Sequence, residues 1–120
     1  MTKKILICDD DEDILSICTY ILEENGWEVH TRNHCKNIVE TVEGIMPDII
    51  LMDNWIPDVG GIKATQSIKA TPALNQIPII YFSANNDVKA LAKVAGADNF
   101  LAKPFDIEEL EKMVTSVLEK

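Results

Sequence analysis

Residues 48–61 read DIILMDNWIPDVGG, an oily run that ends abruptly on a carboxylate. Ile49, Ile50, Leu51 and Met52 have the unbroken apolar character of a strand covered on both faces, without the alternation of one that faces water. Pro57, Gly60 and Gly61 then stop any regular structure. Asp53 therefore stands where a buried strand gives way to a loop. A strand buried on both sides belongs to a parallel sheet between helical layers, so the neighbours of this stretch decide the fold.

Upstream, KKILIC (3–8) is another short apolar run rich in β-branched residues, and the period changes sharply in DEDILSICTYILEENG (11–26). There Ile14, Ile17, Cys18, Ile21 and Leu22 recur at steps of three and four, acidic residues fill the first turn, and Asn25–Gly26 supplies a left-handed stop. The same unit repeats downstream. Strands are expected at 27–32, 48–53, 77–84 and 99–103, and helices at 35–45, 61–70, 86–96 and 106–120. In the last helix Asp106 and Glu109 are spaced as a capping box, and Ile107, Leu110, Met113, Val114, Val117 and Leu118 form its apolar stripe. Five strands alternating with five helices predict a doubly wound α/β sandwich in which a parallel sheet lies between two helical layers.

The bulk numbers agree with one ordinary globular domain over 1–120: 47% of the residues are hydrophobic and 26% charged. No linker, repeat or low-complexity segment interrupts it. Twenty acidic against eleven basic residues give a net charge of −9, a field that repels nucleic acid and anionic membrane and attracts cations or basic partners. No apolar run approaches the roughly 20 residues of a membrane span, and MTKKILICDD turns acidic before a signal-peptide core could form, so a cytoplasmic protein is expected. Cys8, Cys18 and Cys35 lack C-x-x-C spacing and read as small core thiols. His30 and His34 read as surface residues away from any metal, and Trp27 as packing at the start of the second strand.

In an open sheet of this kind ligands bind beyond the carboxyl ends of the strands. The first strand ends in Cys8–Asp9–Asp10–Asp11, the third in Asp53, the fourth in Ser83–Ala84–Asn85 and the fifth in Lys103–Pro104. Alone, DDDED is a solvated helix start, Asp53 a loop cap, Ser83 a helix cap and Lys103 a surface charge. Together at the strand ends they make a site. Asp9, Asp10 and Asp53 held close would repel one another unless a cation shared the space, and a hard divalent ion suits oxygen ligands: Mg²⁺, or Mn²⁺ in its place. With the charge shared, Asp53 is the acid placed to attack phosphorus, with Lys103 on the transferring oxygens and Ser83 donating to one of them.

At this point nearly the whole chain resembles the receiver domains of two-component response regulators, single-domain chemotaxis regulators among them. Asp9 and Asp10 match the family's acidic pair, and Asp53 its phosphoacceptor, with Pro57 and Gly61 following at the family's spacing. Ser83 before the small Ala84 matches the switch hydroxyl, and Lys103–Pro104 the lysine with its proline. The resemblance implies a flavodoxin-like sheet in the order 2-1-3-4-5. It also implies Mg²⁺ completed by the backbone carbonyl of Trp55, and a phosphoryl group supplied by a histidine kinase or histidine phosphotransfer protein. Phe100 falls at the aromatic switch position and lacks the hydroxyl of a tyrosine, and Asn85 lies two residues past the switch hydroxyl. The Trp55 indole is large enough to shade an acyl phosphate from water.

What the resemblance implies is thus a phosphoacceptor switch rather than an enzyme acting on other substrates, with no output domain within 1–120. It would signal through an unidentified partner or pass the phosphoryl group on, without touching nucleic acid or membrane. A monomer is expected, with dimerisation on phosphorylation as the alternative. Two rivals fit poorly. A flavin mononucleotide carrier needs a Ser/Thr/Gly-rich phosphate loop where DDDED stands, and an aspartate-nucleophile phosphatase wants an acid where Trp55 stands. A third, a phosphorylation-independent interaction module of the same fold, suits receivers that lack part of the site, whereas here the full set is present.

Overall fold

The computed structural model describes residues 2–57, 59–84 and 87–118. The alternation is realised in chain order as β1 (Lys4–Cys8), α1 (Glu12–Glu24), β2 (Glu28–Arg32), α2 (Ile38–Ile45), β3 (Ile49–Asp53), α3 (Gly61–Lys69), β4 (Ile79–Ser83), α4 (Val88–Ala95), β5 (Asn99–Ala102) and α5 (Ile107–Leu118). The strands form one parallel sheet in the order β2-β1-β3-β4-β5. β1 is thus flanked by β2 and β3, and the chain crosses from one side of β1 to the other between them. That reversal opens a crevice beyond the carboxyl ends of β1 and β3.

Strand period and helix period together build two cores. Leu6, Cys8, Ile50, Met52, Ile79 and Tyr81 point to one face and are covered by Ile38 and Val42 of α2, Ala64 and Ile68 of α3, and Val88, Ala92 and Ala95 of α4. Their alternates Ile5, Ile7, Ile49, Leu51, Ile80 and Phe82 point to the other face, under Leu15, Cys18, Ile21 and Leu22 of α1 and Leu110, Val114 and Val117 of α5. Every residue of β3 and β4 is buried, the physical content of the unbroken apolar runs.

Helix ends follow local chemistry. Asp11 caps α1, its carboxylate accepting from the Asp13 and Ile14 amides at 2.9 and 3.4 Å. Gly26, with φ of +87°, makes the left-handed exit. Asp106 accepts from the Glu109 amide at 2.8 Å, the capping interaction expected there.

Two details of the expected helix faces need correction. Ile17 is 54% exposed and Leu15 takes its place in the core, while Ile107 is 55% exposed and Phe105, before the helix, packs in its stead. All three cysteines are buried thiols outside any disulfide. His30 and His34 are half-buried, and His30 lies 2.6 Å from the Glu28 carboxylate, an acid neighbour two residues away on the same strand face. Among the described residues no helix is long and apolar enough to cross a membrane.

Candidate functional site: an acidic pocket at the carboxyl edge

Because the strands run parallel, their carboxyl ends share one edge. Cys8 registers with Met52, Asp53 with Phe82, and Ser83 with Ala102, so Asp9, Asp53, Ser83 and Lys103 arrive side by side. Asp9 is fully buried: its amide donates to the Arg32 carbonyl at 3.1 Å, and its Oδ1 accepts from the Asp11 amide at 2.9 Å. Asp53, 4% exposed, has its two oxygens held from opposite sides. Lys103 Nζ donates to Oδ1 at 2.8 Å, and the Trp55 amide donates to Oδ2 at 3.1 Å. The same ammonium donates to Asp9 Oδ2 at 2.7 Å and rides 4.6 Å above the centre of the Phe82 ring.

Among the described residues Lys103 bridges two of three clustered acids. Oxygens of Asp9, Asp10 and Asp53 all lie within 4.8 Å of one another, Asp10 from the exposed rim and the other two from within. Burial, against the pull of the Lys103 hydrogen bond, pushes the Asp53 carboxyl up to about 6, with the Asp9 charge adding to the rise. Asp9 is raised as well, again chiefly by burial. Burial works against the Lys103 ammonium, but its hydrogen bonds to Asp53 and Asp9 outweigh that and leave its pKa raised. Oxygen-only, short of positive charge and buried except at Asp10, this donor set fits a hard divalent cation.

The loop after Asp53 is shaped by backbone contacts. A Cβ on Gly61 would stand 2.1 Å from the Asp53 carbonyl oxygen, so only glycine lets α3 start this close to the acceptor strand. The Gly61 amide donates to the Asn54 carbonyl at 3.2 Å, and the exposed Pro57 offers its carbonyl to the Cys35 amide at 3.2 Å. Ser83 is buried at the end of β4, and its carbonyl accepts from the Lys103 amide at 2.9 Å, tying the hydroxyl-bearing residue to the lysine. Ala84 is exposed beside it, and the Lys103–Pro104 peptide bond is cis.

Other expected residues land differently. Phe100 is half-buried on the α4 side of the sheet, where it lines a shallow cavity with Lys89, Ala92 and Lys93 and takes no part in the carboxylate cluster. The Trp55 indole, expected to shade the acceptor, is instead 78% exposed; its contact with Asp53 is made by its backbone. Asn85 lies outside the described residues. Tyr81 and Asn54 went unnoticed in the sequence: the Tyr81 hydroxyl donates to Asn54 Oδ1. Burial, then the Asp53 charge, push the Tyr81 phenol up to about 12, which keeps it a donor. The available signal was a tyrosine in an otherwise apolar buried strand, since a buried phenol needs a partner.

A doubly wound sheet with an acidic pocket and a lysine at its switch point agrees with the comparisons with known proteins. The family model "Response regulator receiver domain" matches residues 5–115, and the chain belongs to that family. It is 30% identical to the alkaline phosphatase synthesis transcriptional regulatory protein PhoP of Bacillus subtilis, over all of this chain and 50% of that protein, so the chain spans about half the length of that relative. Among solved structures it is similar to the chemotaxis response regulator CheY4 of Vibrio cholerae, with a TM-score of 0.90, 25% identity, and coverage of 98% of this chain and 100% of that one. The receiver domain of the Pseudomonas aeruginosa sensor histidine kinase PA1611, solved with a magnesium ion coordinated in its active-site cleft, matches all of both chains at 27% identity and a TM-score of 0.91.

Proposed function

We propose that this receiver domain is a phosphoacceptor switch: Asp53 takes a phosphoryl group from the phosphohistidine of a histidine kinase or histidine phosphotransfer protein. The observation that carries the reading is the state of Asp53 itself, a buried carboxylate with one oxygen on Lys103 and the other on the Trp55 amide, crowded by Asp9 and Asp10. Asp9, Asp10 and Asp53, with the Trp55 carbonyl, would hold Mg²⁺ or Mn²⁺. When bound, the ion would neutralise the acids and draw negative charge off the transferring phosphoryl oxygens.

In the transfer the phosphorus–nitrogen bond of the donor breaks as an Asp53 oxygen–phosphorus bond forms, and the departing imidazole keeps the electron pair. Hydrolysis returns Asp53 and inorganic phosphate. Lys103 meets the incoming oxygens with its positive charge, and Ser83, at the neighbouring strand end, offers them a hydroxyl. Gly61 and Pro57 fix the acceptor loop, while Ala84 and Pro104 shape the approaches to Ser83 and Lys103. Phosphorylation adds about −1.5 to −2 charges to a pocket already in negative excess, which would draw Ser83 and Lys103 inward and bias the surface around α4 and Phe100. The output is a protein surface; the chain's negative charge speaks against direct nucleic-acid contact.

The test is intact-protein mass spectrometry after exposure to acetyl phosphate with Mg²⁺, beside Asp53→Ala and a chelated control. One added phosphoryl group that needs the metal and vanishes in Asp53→Ala supports the switch. No incorporation by a folded wild-type protein would favour a phosphorylation-independent binding module.

A further inference from the structure

The acceptor loop is held by a contact that none of the expected site residues makes. Tyr81 lies in the middle of β4, fully buried, between register partners Met52 of β3 and Phe100 of β5. Its ring packs in the core on the α2–α4 face, yet its hydroxyl reaches the side chain of Asn54, the first residue past the acceptor strand.

Asn54 is thereby held at three points by two elements, β4 and α3. Its amide donates to the Phe82 carbonyl at 3.2 Å, its own carbonyl accepts from the Gly61 amide at 3.2 Å, and its side chain accepts from Tyr81. The peptide between Asn54 and Trp55 is consequently fixed at both ends. Its carbonyl is on Gly61, and its N–H is on Asp53 Oδ2 at 3.1 Å.

We infer that Tyr81 is a positioning residue for the acceptor: through Asn54 its hydroxyl sets the 54–55 peptide, and with it the orientation of the Asp53 carboxylate and the next carbonyl along, that of Trp55. The inference rests on the phosphoacceptor reading and adds a residue to it. Tyr81 also abuts Phe100 in the register. Both side chains belong to the core on the α2–α4 face, which Phe100 continues toward α4.

The two partners differ in exposure, which makes the role testable. Tyr81 is fully buried but Asn54 is only half-buried. In Tyr81→Phe the ring volume is kept, no buried hydroxyl is left unpaired, and water can reach the freed Asn54 amide. Folding should be little disturbed while the loop loosens.

The experiment is a Mg²⁺ titration of the full chain, followed by tryptophan emission and by calorimetry, on wild type, Tyr81→Phe, Asn54→Ala and the double variant. Urea melts without metal and the initial rate of phosphorylation by acetyl phosphate accompany it. One lost hydrogen bond corresponds to a weakening of Mg²⁺ affinity of about three- to tenfold in Tyr81→Phe, with the metal-free melt nearly unchanged. The double variant should bind no more weakly than Asn54→Ala, because both changes break the same link.

A melt that falls while Mg²⁺ affinity stays within about twofold of wild type would make Tyr81 merely structural and overturn the inference. Additive losses in the double variant would also overturn it, by separating Tyr81 from Asn54. Wild-type protein that binds no Mg²⁺ sinks the site reading and this role together, whereas tight wild-type binding matched by Tyr81→Phe sinks this role alone.

Discussion

Lys69 and Lys103 each pin one element of the fold onto others, at opposite edges of the sheet, and their surroundings differ in kind. Lys69, the last residue of α3, donates to the carbonyls of Asn75 and Ile77 at 3.2 and 3.0 Å and to Asp98 Oδ2 at 2.6 Å. Asp98 Oδ2 in turn accepts the Ile79 amide at 2.8 Å, where β4 begins. One positive charge meets one negative charge, and the remaining partners are neutral carbonyls. Lys103 meets Asp9 and Asp53 at 2.7 and 2.8 Å, with Asp10 in the same cluster. Three carboxylates against one ammonium leave an excess of two negative charges when all are ionised. The amino edge is a finished joint. The carboxyl edge is held in electrostatic tension that a cation or a proton relieves, and that tension sets it apart from the clamp at the amino edge.

The sharpest way to probe the difference uses backbone space. Gly61→Ala forces a methyl group against the Asp53 carbonyl, with backbone on both sides of the conflict, and should destabilise by about 2–4 kcal/mol while weakening Mg²⁺ binding. Gly44, in α2, has nothing within 4 Å of where a Cβ would stand. Gly44→Ala should therefore be neutral or stabilising by up to about 1 kcal/mol through helix propensity. Urea melts of the pair decide it, and a Gly61→Ala protein as stable as wild type would show that the loop has slack the structure does not display.

The electrostatic contrast predicts opposite signs. In the unfolded chain Asp53 ionises near 3.8, in the folded chain only near 6. As pH rises through that window the unfolded state gives up its proton first, so this group's contribution destabilises the fold progressively and reaches its full size above about 6. The difference of about 2 units corresponds to about 3 kcal/mol at most. Metal-free Asp53→Asn should consequently be more stable than wild type at pH 7.5, by about 1–3 kcal/mol, with the gap closing toward pH 4. Added Mg²⁺ should raise the melting temperature of wild type far more than that of Asp53→Asn. At the other edge Lys69→Met should cost about 1 kcal/mol and leave Mg²⁺ affinity intact, because its partners are carbonyls and a single half-exposed acid. If Asp53→Asn instead destabilises at pH 7.5, the carboxyl edge is a clamp after all.

How far the sequence could go follows the same division. The alternation of strand and helix, and the strand-end placement of Asp9, Asp53, Ser83 and Lys103, were legible because period and position carry them. Side-chain pairing was not. Ile17 and Leu15 both fit an apolar helical stripe, and only the direction of approach to the sheet buries Leu15 and leaves Ile17 to solvent. Ile107 lost its place to Phe105 because α5 is entered from the Lys103–Pro104 turn, which carries Phe105 onto Phe82, 6.1 Å between ring centres. Within the acid run DDDED, reading set Asp9 and Asp10 apart as a pair for the ion but could not tell one of them from the other. The structure assigns Asp9 to the pocket interior, Asp10 to its rim and Asp11 to the helix cap. The link from Tyr81 to Asn54 spans 27 positions and depends on β3 and β4 being neighbours, so no local pattern announces it.

Trp55 supplies the smallest expected effect and a direct contest between sequence and structure. By size alone its indole would screen an acyl phosphate, and Trp55→Ala would hasten hydrolysis. The ring is 78% exposed, however, and what Trp55 gives the site is a backbone N–H on Asp53 Oδ2, which alanine supplies equally well. Trp55→Ala should change stability by less than about 0.5 kcal/mol, as surface substitutions usually do, and leave the phosphorylated lifetime within about twofold of wild type. The decay of the phosphorylated species after donor removal, followed by intact mass, measures this. A lifetime shortened severalfold would mean that the indole folds over the pocket once the phosphoryl group is present. The carboxyl edge would then differ from the amino edge in mobility as well as in charge.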